Sequence, residues 1–165
     1  MSRHQLISAT VASDVCKDLV LYDVPMYNPF RQLIPLSVEH PALLQIIVAN
    51  SALHMSNTCR RSLDSDSTCT SELQAGSYSD ALMAKQRALC LLMAALADSD
   101  SLDVDVTLAV VLLFIEFELI DSGRDQWRYH ISGARKLIQR LLGPEVTTRH
   151  SMSPLRGCLI SNCVV

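Results

Sequence analysis

Residues 106–120 read VTLAVVLLFIEFELI, and this stretch decides the fold class. Its first ten residues carry no charge, and its apolar side chains occupy nearly all sides of a helical wheel. A helix of this composition is buried all round, so we expect it to be the central helix of the protein. Either Asp103 or Asp105 is expected to cap it, because an aspartate accepts hydrogen bonds from the free amides of a first turn. The apolar run is too short for a membrane span, which needs about 20 residues.

The rest of the chain also follows helical periodicity, and almost no segment alternates as a strand would. We predict further helices over residues 5–22, 29–34, 42–58, 78–97 and 125–142. In the fourth of these, Leu82, Leu89 and Leu96 recur every seven residues. This stripe, with Met93 and several alanines nearby, is expected to face the core. The fold class is therefore all-α, an array or bundle of about six helices with an irregular C-terminal tail.

Two segments lack this periodicity and set the domain organisation. Residues 60–79 hold six serines, two threonines and three acidic residues, which predicts a variable polar linker. Gly143 and Pro144 stop the last helix, and we expect 144–165 to be an irregular tail. Residues 1–143 then form one helical domain, which is large enough to bury a core.

Composition excludes several classes of function. The chain has 165 residues, a formal net charge of −3 and only 5% aromatic residues, which is unlike a self-sufficient nucleic-acid binder. No secretory signal is visible at the N-terminus, so we expect a soluble, intracellular protein. The six cysteines include no C-x-x-C pair, which argues against a metal site. Without a secretory signal, disulfides are not expected either.

No catalytic motif is found, and we expect a protein that is not an enzyme. The chain has no glycine-rich phosphate loop and no nucleophile elbow. His54 and His130 lie among apolar or small neighbours, which is typical of packing residues. No carboxylate, thiol or second histidine lies beside either one in helical register. The alternative is a small helical enzyme or ligand-binding bundle that uses His54 or His130.

The last two helices differ in charge, and this difference predicts how they pair. Acidic side chains belong to the central helix and basic ones to the helix that follows: Asp105, Glu116, Glu118 and Asp121 against Arg124, Arg128, Arg135, Lys136 and Arg140. We expect ion pairs at the rim of an antiparallel hairpin rather than a phosphate-binding stripe. Trp127 is expected to pack on the central helix. Gly133 and Ala134, one or two turns after Trp127 on the same helix, are expected to let the last two helices approach closely. The alternative is that Trp127 is exposed and anchors a partner.

The order of motifs along residues 6–142 resembles the fungal-specific transcription factor domain, the helical regulatory region of fungal binuclear zinc-cluster transcription factors. The resemblance rests on Asn28-Pro29-Phe30-Arg31, on ANSALH at 49–54, on KQRAL at 85–89, on Glu118-Leu119-Ile120 and on a W-x-x-H-x-x-G-A-x-x-L-I helix. The family positions, which we expect to be structural, are Asn28, Pro29, Phe30, Arg31, His54, Glu118, Trp127, His130, Gly133 and Ala134.

The resemblance implies a function. It implies a transcription regulatory protein of the RNA polymerase II transcription-factor family, located in the nucleus. Its helical domain would be non-catalytic and would bind protein partners of the transcription machinery or a small effector. We expect no membrane association, and homodimerisation is left open.

The chain also departs from the family pattern. Family members carry a six-cysteine cluster that binds two zinc ions and reads DNA, and this chain has no such cluster. Neither zinc nor another cofactor, nor direct specific DNA binding, is therefore expected of these residues. The chain is also shorter than family members, which fits a partial copy of the domain, as a short paralogue or a truncated gene product.

Overall fold

The computed structural model of the protein describes residues 28–61, 68–98, 103–121, 127–142 and 154–164. A 3-10 helix at Pro29–Gln32 runs directly into the short helix α1. The α-helices are α1 (Leu33–Leu36), α2 (Pro41–Arg61), α3 (Thr68–Ala97), α4 (Val104–Asp121), α5 (Trp127–Leu142) and α6 (Pro154–Val164). Every element among the described residues is helical, so the predicted all-α class is confirmed. The helix predicted over 5–22 lies outside the described residues.

Helix α4 is the centre of the molecule, as its sequence predicts. All side chains from Val106 to Ile115 are buried, and so is Phe117. The helix contacts every other α-helix that the structure describes. Of the two candidate caps, Asp103 is the one used, since its Oδ1 accepts hydrogen bonds from the amides of Asp105 and Val106 at 2.9 and 3.1 Å.

A buried amide fastens α2 to the central helix. The Nδ2 atom of Asn50 donates to the carbonyl oxygens of Ile46 on its own helix and of Leu113 on α4, both at 3.0 Å. Asn50 is almost completely buried, so these two bonds replace the water that its amide nitrogen loses on folding. They fix the register of α2 against α4.

Helices α2 and α3 run antiparallel and share the most extensive contact in the molecule. Near one end, the Ser56 hydroxyl donates to the Gln74 carbonyl oxygen at 3.2 Å. Near the other end, Ala42 of α2 lines the same cleft as Ala95 of α3. Both helices bury alanines in the core, on α2 Ala49 and Ala52, and on α3 Ala81, Ala84 and Ala88. Small side chains allow the two helix axes to approach closely.

The predicted core stripe of α3 was wrong for its leucines and for Met93, whereas the alanines beside them, Ala81, Ala84 and Ala88, are buried as predicted. Leu82 is 40% exposed, Leu89 43%, Leu96 44% and Met93 63%. The buried face of α3 is the alanine row, together with Leu92, on another side of the helix. The physical reason is close packing: α2 lies against the alanines, and the larger leucines are left outside this contact.

The extent of the predicted linker and tail was also wrong. Helix α3 begins at Thr68, so residues 68–79 are helical, and the bond between Ser56 and Gln74 ties them to α2. Residues 154–164 form α6, which buries Leu155 and Leu159. Tertiary contacts outweigh the weak helix propensity of serine and threonine. The remaining parts of both predicted segments, 62–67 and 143–153, lie outside the described residues.

Candidate functional site

A carboxylate is buried where three helices meet. Glu118 lies near the end of α4, and its side chain is only 4% exposed. Its Oε1 is 2.5 Å from Nζ of Lys85 on α3 and 3.6 Å from Nε2 of His130 on α5. A buried carboxylate is costly unless it is paired, and here two nitrogen groups face the same oxygen. Lys85, Glu118 and His130 are called the Glu118 cluster below.

Two phenylalanine rings of α4 hold the nitrogen groups of the cluster. The His130 ring stacks on Phe114 with centroids 5.6 Å apart and an angle of 8° between the planes. The Lys85 ammonium lies 4.6 Å from the centroid of the Phe117 ring, a cation–π geometry. Both phenylalanines are fully buried, so His130 and Lys85 pack against rings that are held in place by the core.

The cluster is suited to joining helices. It takes one polar side chain from each of α3, α4 and α5. His130 and Lys85 keep 29% and 23% of their side-chain surface, so the cluster reaches solvent only at its edge. Lys85 of α3 and His130 of α5 face the same oxygen of Glu118 on α4. The arrangement therefore favours an ion pair that orients the three helices.

A separate cleft of about 140 Å³ lies between the start of α2, the end of α3 and the start of α4. Its walls are mainly apolar, and its polar side chains include His40, Asp103 and Thr107. Asp103 caps α4, and the Thr107 hydroxyl donates to the Asp103 carbonyl oxygen at 2.7 Å. The cleft is smaller than the roughly 300–1,000 Å³ of most ligand pockets. It has room for only a few atoms of an effector.

The first family motif builds the start of the described structure. The Asn28 side chain accepts a hydrogen bond from the Phe30 amide at 3.0 Å and thereby caps the 3-10 helix. Pro29 takes the first helical position, where its missing N–H leaves no bond unmade. Phe30 is fully buried, and Arg31 is half-buried. These residues anchor the start of the described fold.

The later family positions divide between the core and the surface. His54 is half-buried on α2, on a different helix from His130. Ala134 is completely buried. Gly133 is exposed, and a Cβ atom added to it would meet no atom of the described residues within 4 Å, so its predicted role in close approach was wrong. Trp127 begins α5, but its side chain lies outside the described ones, and its packing stays a prediction.

Two of the acidic residues on the central helix have partners that the charge pattern did not predict. Glu118 pairs with Lys85 of α3 as well as with His130. Asp105 accepts a hydrogen bond from Arg156 of α6 at 2.5 Å. The sequence reasoning missed the carboxylate beside His130 because it searched only along the histidine's own helix. The available signal was Glu118 itself, an acidic residue inside a stretch that is otherwise apolar.

Within 28–61, 68–98, 103–121, 127–142 and 154–164, no group of three or more histidine, cysteine or acidic side chains is placed to hold a metal ion. No helix in these ranges combines the length and the apolar content that crossing a membrane requires.

Comparisons with known proteins agree with the order of motifs. Residues 12–165 match the family described as "Fungal specific transcription factor domain". The chain is also 35% identical over 156 residues to the acriflavine sensitivity control protein acr-2 of Neurospora crassa. That alignment covers 93% of this chain and 25% of the relative, so the chain spans about a quarter of the relative's length. No solved structure matches the chain.

The family match covers most of the chain, including α1 to α6 and the whole Glu118 cluster. It extends past residue 142, where the motifs in the sequence end, and takes in α6. The chain belongs to the fungal-specific transcription factor domain family, as the ordered motifs in its sequence imply.

Proposed function

We propose that the chain acts in the nucleus as a non-catalytic regulatory domain that binds protein partners of the transcription machinery or a small effector. One observation carries this proposal: the polar family residues are used to cap a helix and to join helices. Asn28 caps the first turn, and Glu118 pairs with Lys85 and His130 across α3, α4 and α5. Residues that cap and join helices maintain the arrangement of the helices, and a binding partner recognises the surface that this arrangement forms.

A tethering experiment tests this function. The full chain is fused to an unrelated DNA-binding module, and a reporter gene with the module's binding site is measured in fungal cells. We expect reporter output to change relative to the module alone, because the domain brings partners to the promoter. Equal output from the fusion and from the module, at equal protein levels, would contradict the proposal.

A variant that cannot fold is the control for this experiment. Leu53 is 1% exposed in the core, and Leu53→Asp would bury a charge without a partner. The fusion that carries Leu53→Asp should give the output of the module alone. Output that survives this change would mean that the effect comes from an unfolded segment and not from the domain.

An enzymatic function is the second candidate, because His130 lies 3.6 Å from Glu118 at an edge that reaches solvent. His130→Asn separates the two functions. The regulatory proposal expects a lower Tm and a lower reporter output together, since the stacking on Phe114 is lost. An unchanged Tm with lost output would favour chemistry at His130.

The family's zinc and its DNA contacts belong to a region with a six-cysteine cluster, and we propose that these residues act without either. The proposal is supported by the weakly acidic net charge of −3, because a chain with this net charge has no overall positive potential to attract the phosphates of DNA. We expect no sequence-dependent shift of duplex DNA in gel electrophoresis at physiological salt. We also expect no change in Tm on addition of a chelator, and a fall in Tm would contradict the zinc-free proposal.

The relative's printed name concerns the control of acriflavine sensitivity. We propose that this chain takes part in the same kind of control, and the support is the 35% identity over most of its length. Deletion of its reading frame should change growth on acriflavine and leave growth on plain medium unchanged. Equal growth of the deletion strain and its parent on acriflavine would contradict this.

A further inference from the structure

Helix α5 turns a polar, positively charged face toward solvent. Its exposed members, called the basic face below, are Arg128, Tyr129, Ser132, Arg135 and Lys136. At about 100° per residue, their directions fall within about 120° of one another around the helix. The sequence of α5 contains no acidic residue, so no carboxylate of the helix itself neutralises this face.

The charge of the basic face is not taken up by the described part of the molecule. The sequence predicts ion pairs with α4, but Arg135 and Lys136 have no ion-pair partner among the described residues. The acidic side chains of Glu118 and Asp105 on α4 pair with other groups. Two exposed cations on neighbouring positions are therefore available to a partner from outside.

We propose that the basic face binds an acidic peptide segment of a partner protein. This inference rests on the proposed function, because it names the chemistry of one protein partner that the chain would bind. Arg128 and Arg135 are seven residues apart and lie in one row along the helix. An arginine can hold a carboxylate through two parallel hydrogen bonds, so this row suits acidic side chains on an adjacent chain segment.

An exposed aromatic ring beside the cations favours a peptide over a free anion. Tyr129 is 79% exposed, and it is seven residues from Lys136, so the two form a second row beside the arginines. A tyrosine ring offers apolar area and a hydroxyl group, which is why this residue type is enriched at protein interfaces. The partner segment should therefore carry apolar side chains between its carboxylates.

The charge of the rest of the chain favours a short peptide over a nucleic acid. Helix α5 holds four of the 14 basic residues and none of the 17 acidic ones, so the remaining residues have 10 basic against 17 acidic, a net charge of −7. Duplex DNA carries about one charge per 1.7 Å and would extend past the roughly 12 Å from Arg128 to Lys136. Its phosphates would then approach a molecule that is otherwise acidic, whereas a short peptide can end within the face.

Fluorescence anisotropy on the full chain tests this binding. The probe is a labelled peptide of about 15 residues, with glutamates every third or fourth position and phenylalanines between them, a spacing that puts the glutamates on one face of a helix. We expect saturable binding between about 10 μM and 1 mM, because a few exposed cations make a weak site. Binding should weaken as salt is added. The same peptide with glutamine in place of glutamate is the control, and equal binding of both peptides would overturn the inference.

Charge reversal locates the site on the protein. Arg135→Glu and Lys136→Glu should each weaken binding by about 3- to 10-fold, since each replaces an attraction by a repulsion. Arg87 is exposed on α3, outside the basic face, so Arg87→Glu is the matched control with the same change in net charge. Equal weakening by Arg87→Glu would overturn the inference, because net charge and not this face would then govern binding. Tighter binding of a labelled DNA duplex than of the acidic peptide at physiological salt would overturn it as well.

The tethered reporter separates this inference from the proposed function. The fusion that carries Arg135→Glu and Lys136→Glu together should lose the effect of the domain while its Tm stays that of the wild type. Wild-type output from this double variant would overturn the basic face as the docking surface and leave the proposed function standing. A wild-type fusion with no effect on the reporter would overturn the proposed function, and this inference with it.

Discussion

Glu118 is the residue on which the site depends, because it is the buried partner of both Lys85 and His130. Glu118→Gln keeps the shape of the side chain and removes its charge, which leaves the Lys85 ammonium without its counter-charge. Lys85 can turn partly toward water, so we expect a loss of about 1–3 kcal/mol in the free energy of unfolding. Urea denaturation measures the loss.

The matched control for this variant is on the same helix. Asp105 pairs with Arg156, and both side chains keep more contact with solvent than Glu118 does. Asp105→Asn should therefore cost only about 0–1 kcal/mol. If the two variants lost equal free energy of unfolding, the burial of Glu118 would not make its ion pair more stabilising than the Asp105–Arg156 pair.

Gly133 gives a second prediction at the level of the residue. It lies inside α5 and is exposed, and in the described part of the chain no atom comes within 4 Å of an added Cβ. Gly133→Ala should raise the free energy of unfolding by about 0.5–1 kcal/mol, because alanine restricts the unfolded chain and favours the helix. A lower stability in urea denaturation would mean that another group packs against this position.

Helix α3 shows what element-level patterns can and cannot predict. The 3.6-residue period predicts its existence, but the prediction that Leu82 and Leu89 face the core was wrong. Hydropathy ranks leucine above alanine, whereas the α2–α3 contact selects side chains small enough for close approach. The N-terminal part of α3 and the whole of α6 were missed for a related reason, since their helical signal is weak and their stability comes from contacts with other elements.

Exchanging side-chain sizes on α3 tests which face is packed. Ala84 is 4% exposed, so Ala84→Leu should overpack the contact with α2 and cost about 1–3 kcal/mol. Leu82→Ala, on the exposed side, should change the free energy of unfolding by less than about 0.5 kcal/mol. Both are measured by thermal and urea denaturation of dilute protein. If Leu82→Ala lowered the free energy of unfolding more than Ala84→Leu, the leucines and not the alanines would face the core.

For the whole molecule, local patterns were enough to predict the fold class, the central position of α4 and the family. They were not enough to predict the Glu118 cluster, since Lys85 and Glu118 lie on different helices, α3 and α4. Only the packed arrangement of α3, α4 and α5 brings the three side chains together. The charged residues of the cluster therefore pair only when these three helices are packed together.

The central claim is that the family residues act by maintaining that shape. The most direct test measures two quantities for each of four variants, the reporter output of the tethered chain and the free energy of unfolding. The variants are Lys85→Met, Glu118→Gln, His130→Asn and Asp105→Asn. We expect all four variants to fall on one curve, with output decreasing as stability decreases and Asp105→Asn closest to the wild type. A cluster variant that loses output at wild-type stability would contradict it.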